Sequence, residues 1–276
     1  MSEGDLYHGY TRFRSHGWNG YVVQDHKWLT EGDVWSVLER HPFDVIRERP
    51  AAKTIRVKLP CGSVFAKLLT PSMDRMTDRF KERMRDRLLG PQVYRVHRVT
   101  WQMRRLGLET PVPLLIAVRH NGSRTEQLMI TAAIEGESAR EVIKREPAID
   151  HLDQLLKQIG TLAANLHRAG FEHGDLLPGN MITSKDGRLV LLDNDRTHRW
   201  NPLPFLGYRK RRNLTQLCAR LIYRGGHFRH CRMIIDAYLD HTGWGTRKQR
   251  IFRAKLMRRI RSDVKRRFML YGKPNR

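Results

Sequence analysis

Apolar and polar residues alternate in three stretches early in the chain: Phe43–Ile46, Thr54–Leu59 and Ser63–Leu69. A period of two reads as half-buried strands, and Pro60-Cys61-Gly62 supplies the turn between the last two. A helical stretch over Asp74–Leu89 and a second over Gln92–Leu106 follow, stopped by Gly107 and by Pro111-Val112-Pro113. Leu114–Val118 and Gln127–Ile134 read as two more strands around an Asn121-Gly122 turn. The period then changes. Leu152, Leu155, Leu156, Ile159, Leu162, Ala163 and Leu166 recur at helical spacing, predicting a buried helix over Asp150–Ala169 that Gly170 ends. A hairpin is predicted from Met181–Thr183 and Leu189–Leu192 across Lys185-Asp186-Gly187. A helix then runs through Ile222, and a last one covers Thr246–Leu270. Strands gather in the first half and helices in the second, which is an α+β chain.

Residues 1–42 fit neither half. Tyr7, Tyr10, Trp18, Tyr21, Trp28 and Trp35 are scattered there without a regular interval. Such aromatics are expected to pack an extension onto the first lobe rather than to stack bases.

The net charge of +24 changes the list of partners. So basic a surface suits anionic ligands: nucleic acid, an anionic membrane face or a phosphorylated substrate. The last helix adds to this. Phe252, Leu256, Ile260, Val264 and Phe268 step by four, and Arg and Lys crowd the rest, so its stripe suits either a membrane surface or a packed core. Met1–Gly17 lacks the apolar region of a signal peptide, and no apolar run approaches the ~20 residues of a membrane span. A cytoplasmic protein is expected. Three cysteines, Cys61, Cys218 and Cys231, give no disulfide framework. Cys218, His227, His230 and Cys231 suit zinc poorly, because His230 and Cys231 are adjacent and no Cys-x2-Cys pair is present.

The candidate chemistry lies in Phe171–Thr197, FEHGDLLPGNMITSKDGRLVLLDNDRT. Asp175 and Asn180 share one tight loop, and Asp193 ends the apolar strand that follows. The hairpin between them brings Asp193 back beside Asn180. A carboxylate able to receive a hydroxyl proton, with two oxygen ligands for Mg²⁺, is the equipment of phosphoryl transfer.

His-Gly-Asp-Leu-x3-Asn followed by Leu-Leu-Asp-Asn-Asp resembles the catalytic loop and metal-binding aspartate of the protein-kinase-like superfamily. That resemblance implies a two-lobed fold, with an antiparallel N-lobe sheet plus helix over 43–131 and a mainly helical C-lobe over 132–276. It implies Asp175 as catalytic base, His173 as a brace of the loop, and Asn180 and Asp193 as Mg²⁺ ligands. Lys67, in Val-Phe-Ala-Lys, would contact the α- and β-phosphates of ATP, and the backbone from Ile130 to Ala133 would bind adenine. Two departures stand out. The turn Arg47–Lys53 has no glycine to cover phosphates, and Gln92–Leu106 has no acid to pair with Lys67, which leaves Glu82 and Asp86 as candidates. Gly174 and Leu177 replace the arginine and lysine usual in protein kinases, and no Ala-Pro-Glu signal follows.

Within the superfamily, roughly Thr54 to Ile222 is most similar to the lipopolysaccharide kinase family, the Kdo kinase and WaaP heptose kinase group. Lys-Thr-Ile-Arg-Val-Lys-Leu, the Leu106–Pro113 junction, Arg196 and Arg-Asn-Leu-x2-Leu carry this likeness. It implies an ATP- and Mg²⁺-dependent kinase acting on a sugar of the lipopolysaccharide inner core. The partner would be an anionic lipid-linked sugar, on the cytoplasmic face of the inner membrane, with an anionic membrane surface nearby and no specific nucleic acid. Two other readings stay open: a kinase-like enzyme of the aminoglycoside-phosphotransferase or Bud32 type acting on a small molecule or a protein, and a pseudokinase-type basic binding protein.

Overall fold

The computed structural model describes residues 6–70, 84, 88–121, 124–145, 149–199 and 206–272. The chain forms two compact units, Met1–Trp101 with Pro111–Ala133, and Gln102–Thr110 with Ile134–Arg276.

The first unit is built on one antiparallel sheet of seven strands. In chain order these are β1 (Tyr10–Ser15), β2 (Trp18–Val23), β3 (Phe43–Arg49), β4 (Ala52–Leu59), β5 (Gly62–Leu69), β6 (Pro113–Asn121) and β7 (Arg124–Ala132). Their spatial order is β1-β2-β6-β7-β5-β4-β3. Residues 10–23, expected in an extension packed onto the lobe, instead carry two strands of the sheet itself, with Trp18 opposite Arg119 and Val22 opposite Leu115. The alternation buries one face. Ile55, Val57, Val64, Ala66, Leu115, Leu128 and Ile130 pack there with Trp18 and Val22, beneath Leu29, Val34 and Leu38 from residues 24–39. Helix α1 (Val34–Glu39) in that cover is capped by Asp33, whose carboxylate accepts from the Ser36 amide.

The other sheet face carries Lys67 and Met129, which pair directly, and Gln127 two residues along. Helix α2 (Gln92–Arg105) begins there, its Val93 amide donating to the buried Gln127 Oε1 at 3.1 Å. Strand β3 is exposed along its whole length. It turns into β4 through Pro50 and Ala51, so this hairpin tip has no glycine.

The second unit is mainly helical: α3 (Ala139–Lys144), α4 (Ile149–Arg168), α5 (Leu206–Tyr223), α6 (Phe228–Asp240) and α7 (Thr246–Tyr271). Helices α4 and α6 meet closely because Gly160 has no side chain. A Cβ there would lie 2.3 Å from the Ile234 carbonyl oxygen. The four-step stripe of α7 is spent on the core, with Leu256 and Ile260 fully buried and Phe252 and Val264 nearly so. Its basic residues keep the outer face. Short strands complete the unit: β8 (Gly136–Ser138), β9 (Phe171–Glu172), β10 (Met181–Ser184), β11 (Leu189–Leu191) and β12 (His198–Arg199). The expected hairpin is present, with Met181 opposite Leu191 and Thr183 opposite Leu189. His227 and His230 form the capping box that starts α6, and the Cys231 thiol faces the Cys218 carbonyl. No helix among the described residues is long and apolar enough to cross a membrane.

Candidate active site

The loop after β9 is held from three directions. His173 is fully buried, and both of its ring nitrogens are engaged. Nδ1 accepts the Asp175 amide at 3.2 Å, so the proton sits on Nε2, which donates to the Leu192 carbonyl at 3.1 Å. Burial pushes its pKa down, and the surrounding acceptors only partly oppose this, so the ring stays neutral and keeps that tautomer. His173 thereby joins the loop that carries Asp175 to the strand end that carries Asp193.

Asn180 makes a second link. Its Nδ2 donates to the Asp175 carbonyl at 2.9 Å, which leaves Oδ1 as the atom able to ligate a cation. Its own carbonyl accepts the Leu192 amide at 2.8 Å. The next residue, Asp193, is in the left-handed region at φ 57° and ψ 59°. Among the described residues only His16 shares a positive φ without being glycine. A non-glycine residue in that conformation costs of order 1–3 kcal/mol, and aspartate is among the side chains that tolerate it best.

The third direction is α5. Asn213, buried 40 residues from the loop, grips His173 on both sides. Its Nδ2 donates to the His173 carbonyl at 2.7 Å, and its Oδ1 accepts the His173 amide at 3.1 Å. The same Oδ1 accepts from His167 Nε2 at 3.2 Å, and His167 Nδ1 accepts from the Tyr238 hydroxyl at 3.2 Å. Every polar atom of this buried chain has a partner, which makes it rigid rather than costly. One turn on, Gln216 Nε2 donates to Asp175 Oδ1 at 3.3 Å.

The turn after Asp193 closes against the loop. The Gly174 amide donates to the Arg196 carbonyl at 3.1 Å. A Cβ on Gly174 would stand 2.3 Å from Arg196 Cβ and 2.7 Å from Arg196 O, so Arg196 fills the space that a side chain at position 174 would need. Arg196 itself sends Nη1 to 3.6 Å from Asp175 Oδ2.

The second unit therefore brings His173, Asp175, Asn180 and Asp193 together. Lys67, Ile130 and Ala133 belong to the first. Lys67 lies in the middle of β5 between Thr54 and Met129. Ile130 is fully buried between Ala66 and Leu115. The Ala133 amide is already committed, donating to the Ser63 carbonyl at 3.0 Å, so the expected adenine contact cannot use that group. The α2 residues contain no acid, and the candidates Glu82 and Asp86 lie outside the described residues.

Sequence reasoning missed Asn213 and Gln216 as supports of the loop. The available signal was a polar side chain on the apolar face of a helix, where Leu214, Leu217, Cys218 and Leu221 are buried. The reach of Arg196 to Asp175 is likewise not legible in the sequence.

Residues 67–238, more than half of the chain, match the family described as lipopolysaccharide kinase (Kdo/WaaP). The chain belongs to that family. Its members are kinases that phosphorylate hydroxyl groups, and the α+β architecture, with a sheet unit and a helical unit, is the protein-kinase-like fold. More distant likenesses agree. A probable serine/threonine-protein kinase BUD32 homolog of Archaeoglobus fulgidus is 27% identical over 110 residues, 37% of this chain and 52% of that protein. The KEOPS complex subunit Bud32 of Pyrococcus abyssi is 25% identical over 122 residues, 41% of this chain and 52% of its own length. The chain spans about half the length of the curated relatives it matches.

The residues present fit a divalent cation. Asn180 Oδ1 is oriented by the bond its amide nitrogen makes, and the carboxylate of Asp193 is carried on the residue after the Asn180–Leu192 bond. An oxygen-only donor set suits Mg²⁺.

Proposed function

We propose that this protein transfers the γ-phosphoryl group of ATP to a sugar hydroxyl, and that the sugar is a Kdo or heptose of the lipopolysaccharide inner core. The observation that carries the reading is the double clamp on one loop, His173 to Leu192 on one side and Asn213 on the other. It ties the loop that carries the Asp175 carboxylate to the strand end that carries Asp193. Family membership supplies the reaction class and favours the sugar acceptor.

Asp175 orients the acceptor hydroxyl and takes its proton as the new oxygen–phosphorus bond forms. The bond from the γ-phosphorus to the bridging oxygen breaks, and ADP leaves with that electron pair. Gln216 keeps one Asp175 oxygen in place, and Arg196 brings positive charge near the other. Asn180 and Asp193 would hold Mg²⁺, which neutralises charge on the phosphates when bound. Lys67 of the first unit is proposed, from the family resemblance, to contact the α- and β-phosphates of ATP. The acceptor is lipid-linked in this reading, and the basic outer face of α7 would meet an anionic membrane surface by charge.

The test is transfer of labelled phosphate from ATP, with and without Mg²⁺, to Kdo- and heptose-bearing core glycolipids, beside a protein acceptor rich in serine and threonine. Label in the glycolipid alone is the expected result. Label in the protein alone would favour the reading suggested by the Bud32 relatives, and no label anywhere would favour a binding protein.

A further inference from the structure

Beside the catalytic loop lies a cavity of about 240 Å³ whose walls all come from the second unit. Leu177, Pro178, Gly179 and Asn180 form one side, Arg140 and Ile143 of α3 another, and Arg220 and Leu221 of α5, with Arg224 just after its end, the third. Asn180, the residue whose Oδ1 is oriented for a cation, is thus shared between loop and cavity.

The lining is one-sided in charge. Three guanidinium groups border it, and no carboxylate does. The acid closest to hand, Glu141, stands 3.6 Å from Arg140 Nε but is also occupied by Lys144 at 3.4 Å. Among the described residues, Nε of Arg140 and Nε of Arg220 are buried and have no hydrogen-bond partner. A buried donor without a hydrogen-bond partner is costly, and three cations set around one half-exposed acid that Lys144 also holds repel one another. Both costs vanish when an anion enters. The floor is different in kind: Pro178, Ile143 and Leu221 are buried apolar side chains, which suit the C–H face of a sugar ring. The volume is below the ~300 Å³ at which drug-sized pockets begin, so it suits one ring rather than a nucleotide.

We propose that Arg140, Arg220 and Arg224 form an acceptor subsite that grips a carboxylate or phosphate on the sugar whose hydroxyl is phosphorylated. The arginines recognise the anion by charge-assisted hydrogen bonds, the apolar floor carries the ring, and Asn180 marks the side on which the phosphoryl group arrives. This deepens the sugar-kinase reading above and names the feature by which an acceptor is chosen: its negative charge.

The experiment measures binding without nucleotide, so that it does not depend on transfer. Wild type is titrated calorimetrically with free Kdo, glucose 6-phosphate, glucose and inorganic phosphate. Arg220→Gln with Arg224→Gln, and separately Gly179→Glu, are titrated alongside. Gly179→Glu brings its own carboxylate to the cavity, where an added Cβ meets nothing nearer than Arg140 Cδ at 3.8 Å. The expected result is that wild type binds at least one of the two anionic sugars and does not bind glucose. Affinity falls about tenfold or more per arginine removed, and falls also in Gly179→Glu with an unchanged thermal melt. Kdo and glucose 6-phosphate tell whether a carboxylate or a phosphate is preferred. The proposal is overturned if neither anionic sugar binds, if glucose binds as well as they do, if inorganic phosphate binds as tightly as the sugars, if Mg-ATP displaces the sugar, or if both variants bind like wild type. Because no phosphate is transferred, a kinase that fails every acceptor assay could still pass this test, and an active sugar kinase could fail it.

Discussion

The side chain of Asn213 holds the backbone of His173 from both sides, donating to its carbonyl at 2.7 Å and accepting its amide at 3.1 Å. Asn213→Leu removes both bonds and orphans His167 Nε2 in a buried site. Each buried group left unpaired costs about 1–3 kcal/mol, so the variant should lose several kcal/mol in urea unfolding. Its phosphoryl transfer should fall more steeply than its nucleotide affinity. A variant as stable as wild type would mean that the clamp is dispensable.

Asp175→Asn keeps the size of the proposed base and removes its basicity. Nucleotide affinity should stay near the wild-type value while the transfer rate drops by orders of magnitude, because positioning in the transition state is lost and ground-state binding is not. Asp193→Ala should abolish Mg²⁺-dependent turnover in a folded protein. Unchanged turnover in Asp193→Ala would transfer the metal role to Asp195.

Gly174→Ala would place a methyl 2.3 Å from Arg196 Cβ and 2.7 Å from its carbonyl oxygen. Backbone must move, at a cost of about 1–3 kcal/mol, and the Gly174–Arg196 bond opens. Activity should fall strongly while far-ultraviolet circular dichroism is retained. Wild-type kinetics in this variant would show that the turn after Asp193 need not press on the loop.

Two buried histidines set a pH limit. Burial lowers His97, in the first unit, and His167, in the second, to about 4 each from an ordinary 6.5. The unfolded ring therefore takes up a proton near pH 6.5 that the folded ring refuses until about pH 4. Stability is full above that window and falls as pH drops through it, by about 3 kcal/mol per histidine. His97 has no hydrogen-bond partner for either ring nitrogen among the described residues, so His97→Phe is a clean probe. Unfolding at pH 7.5 and pH 5 should show a smaller difference in His97→Phe than in wild type, and equal differences would refute the assignment.

The α7 stripe is in the core, so Leu256→Ala should cost about 2–5 kcal/mol. Association with anionic liposomes, carried by the outward basic residues, should disappear as salt rises from 0.05 to about 0.5 M, as screening requires. Salt-resistant association would mean that apolar insertion takes place after all.

What the sequence disclosed follows from how local each feature is. Strands β4 and β5 alternate with period two over Ile55–Leu59 and Ser63–Ala66, and the leucines of α4 repeat at helical spacing, so both could be read without the fold. The loop and hairpin of Phe171–Thr197 were legible for the same reason, since Asp175, Asn180 and Asp193 are joined by fewer than twenty residues. Strand β2 was not. Its buried positions are Trp18, Gly20 and Val22, and a glycine in the middle of so short a stretch breaks the apolar rhythm. The committed Ala133 amide was invisible because its acceptor, the Ser63 carbonyl, lies seventy residues earlier. Asn213 was hidden by the same long range, for nothing near it in the chain tells that its target is His173.

The place of β2 in the sheet has a consequence for the order of assembly. It precedes β3 to β5 in the chain, yet its partner β6 begins only at Pro113, so the pairing of Trp18 with Arg119 must wait for about a hundred further residues. Strands β3 to β5 are joined by short turns and can pair as they are made, while late-closing, non-local pairings are slow. Until β6 arrives, Trp18 and Val22 have no sheet to cover. Hairpin β1–β2 is made before β3 to β5 yet joins the sheet after them, and a nascent chain stalled before residue 113 should show stronger hydrogen-exchange protection in β4 and β5 than in β2.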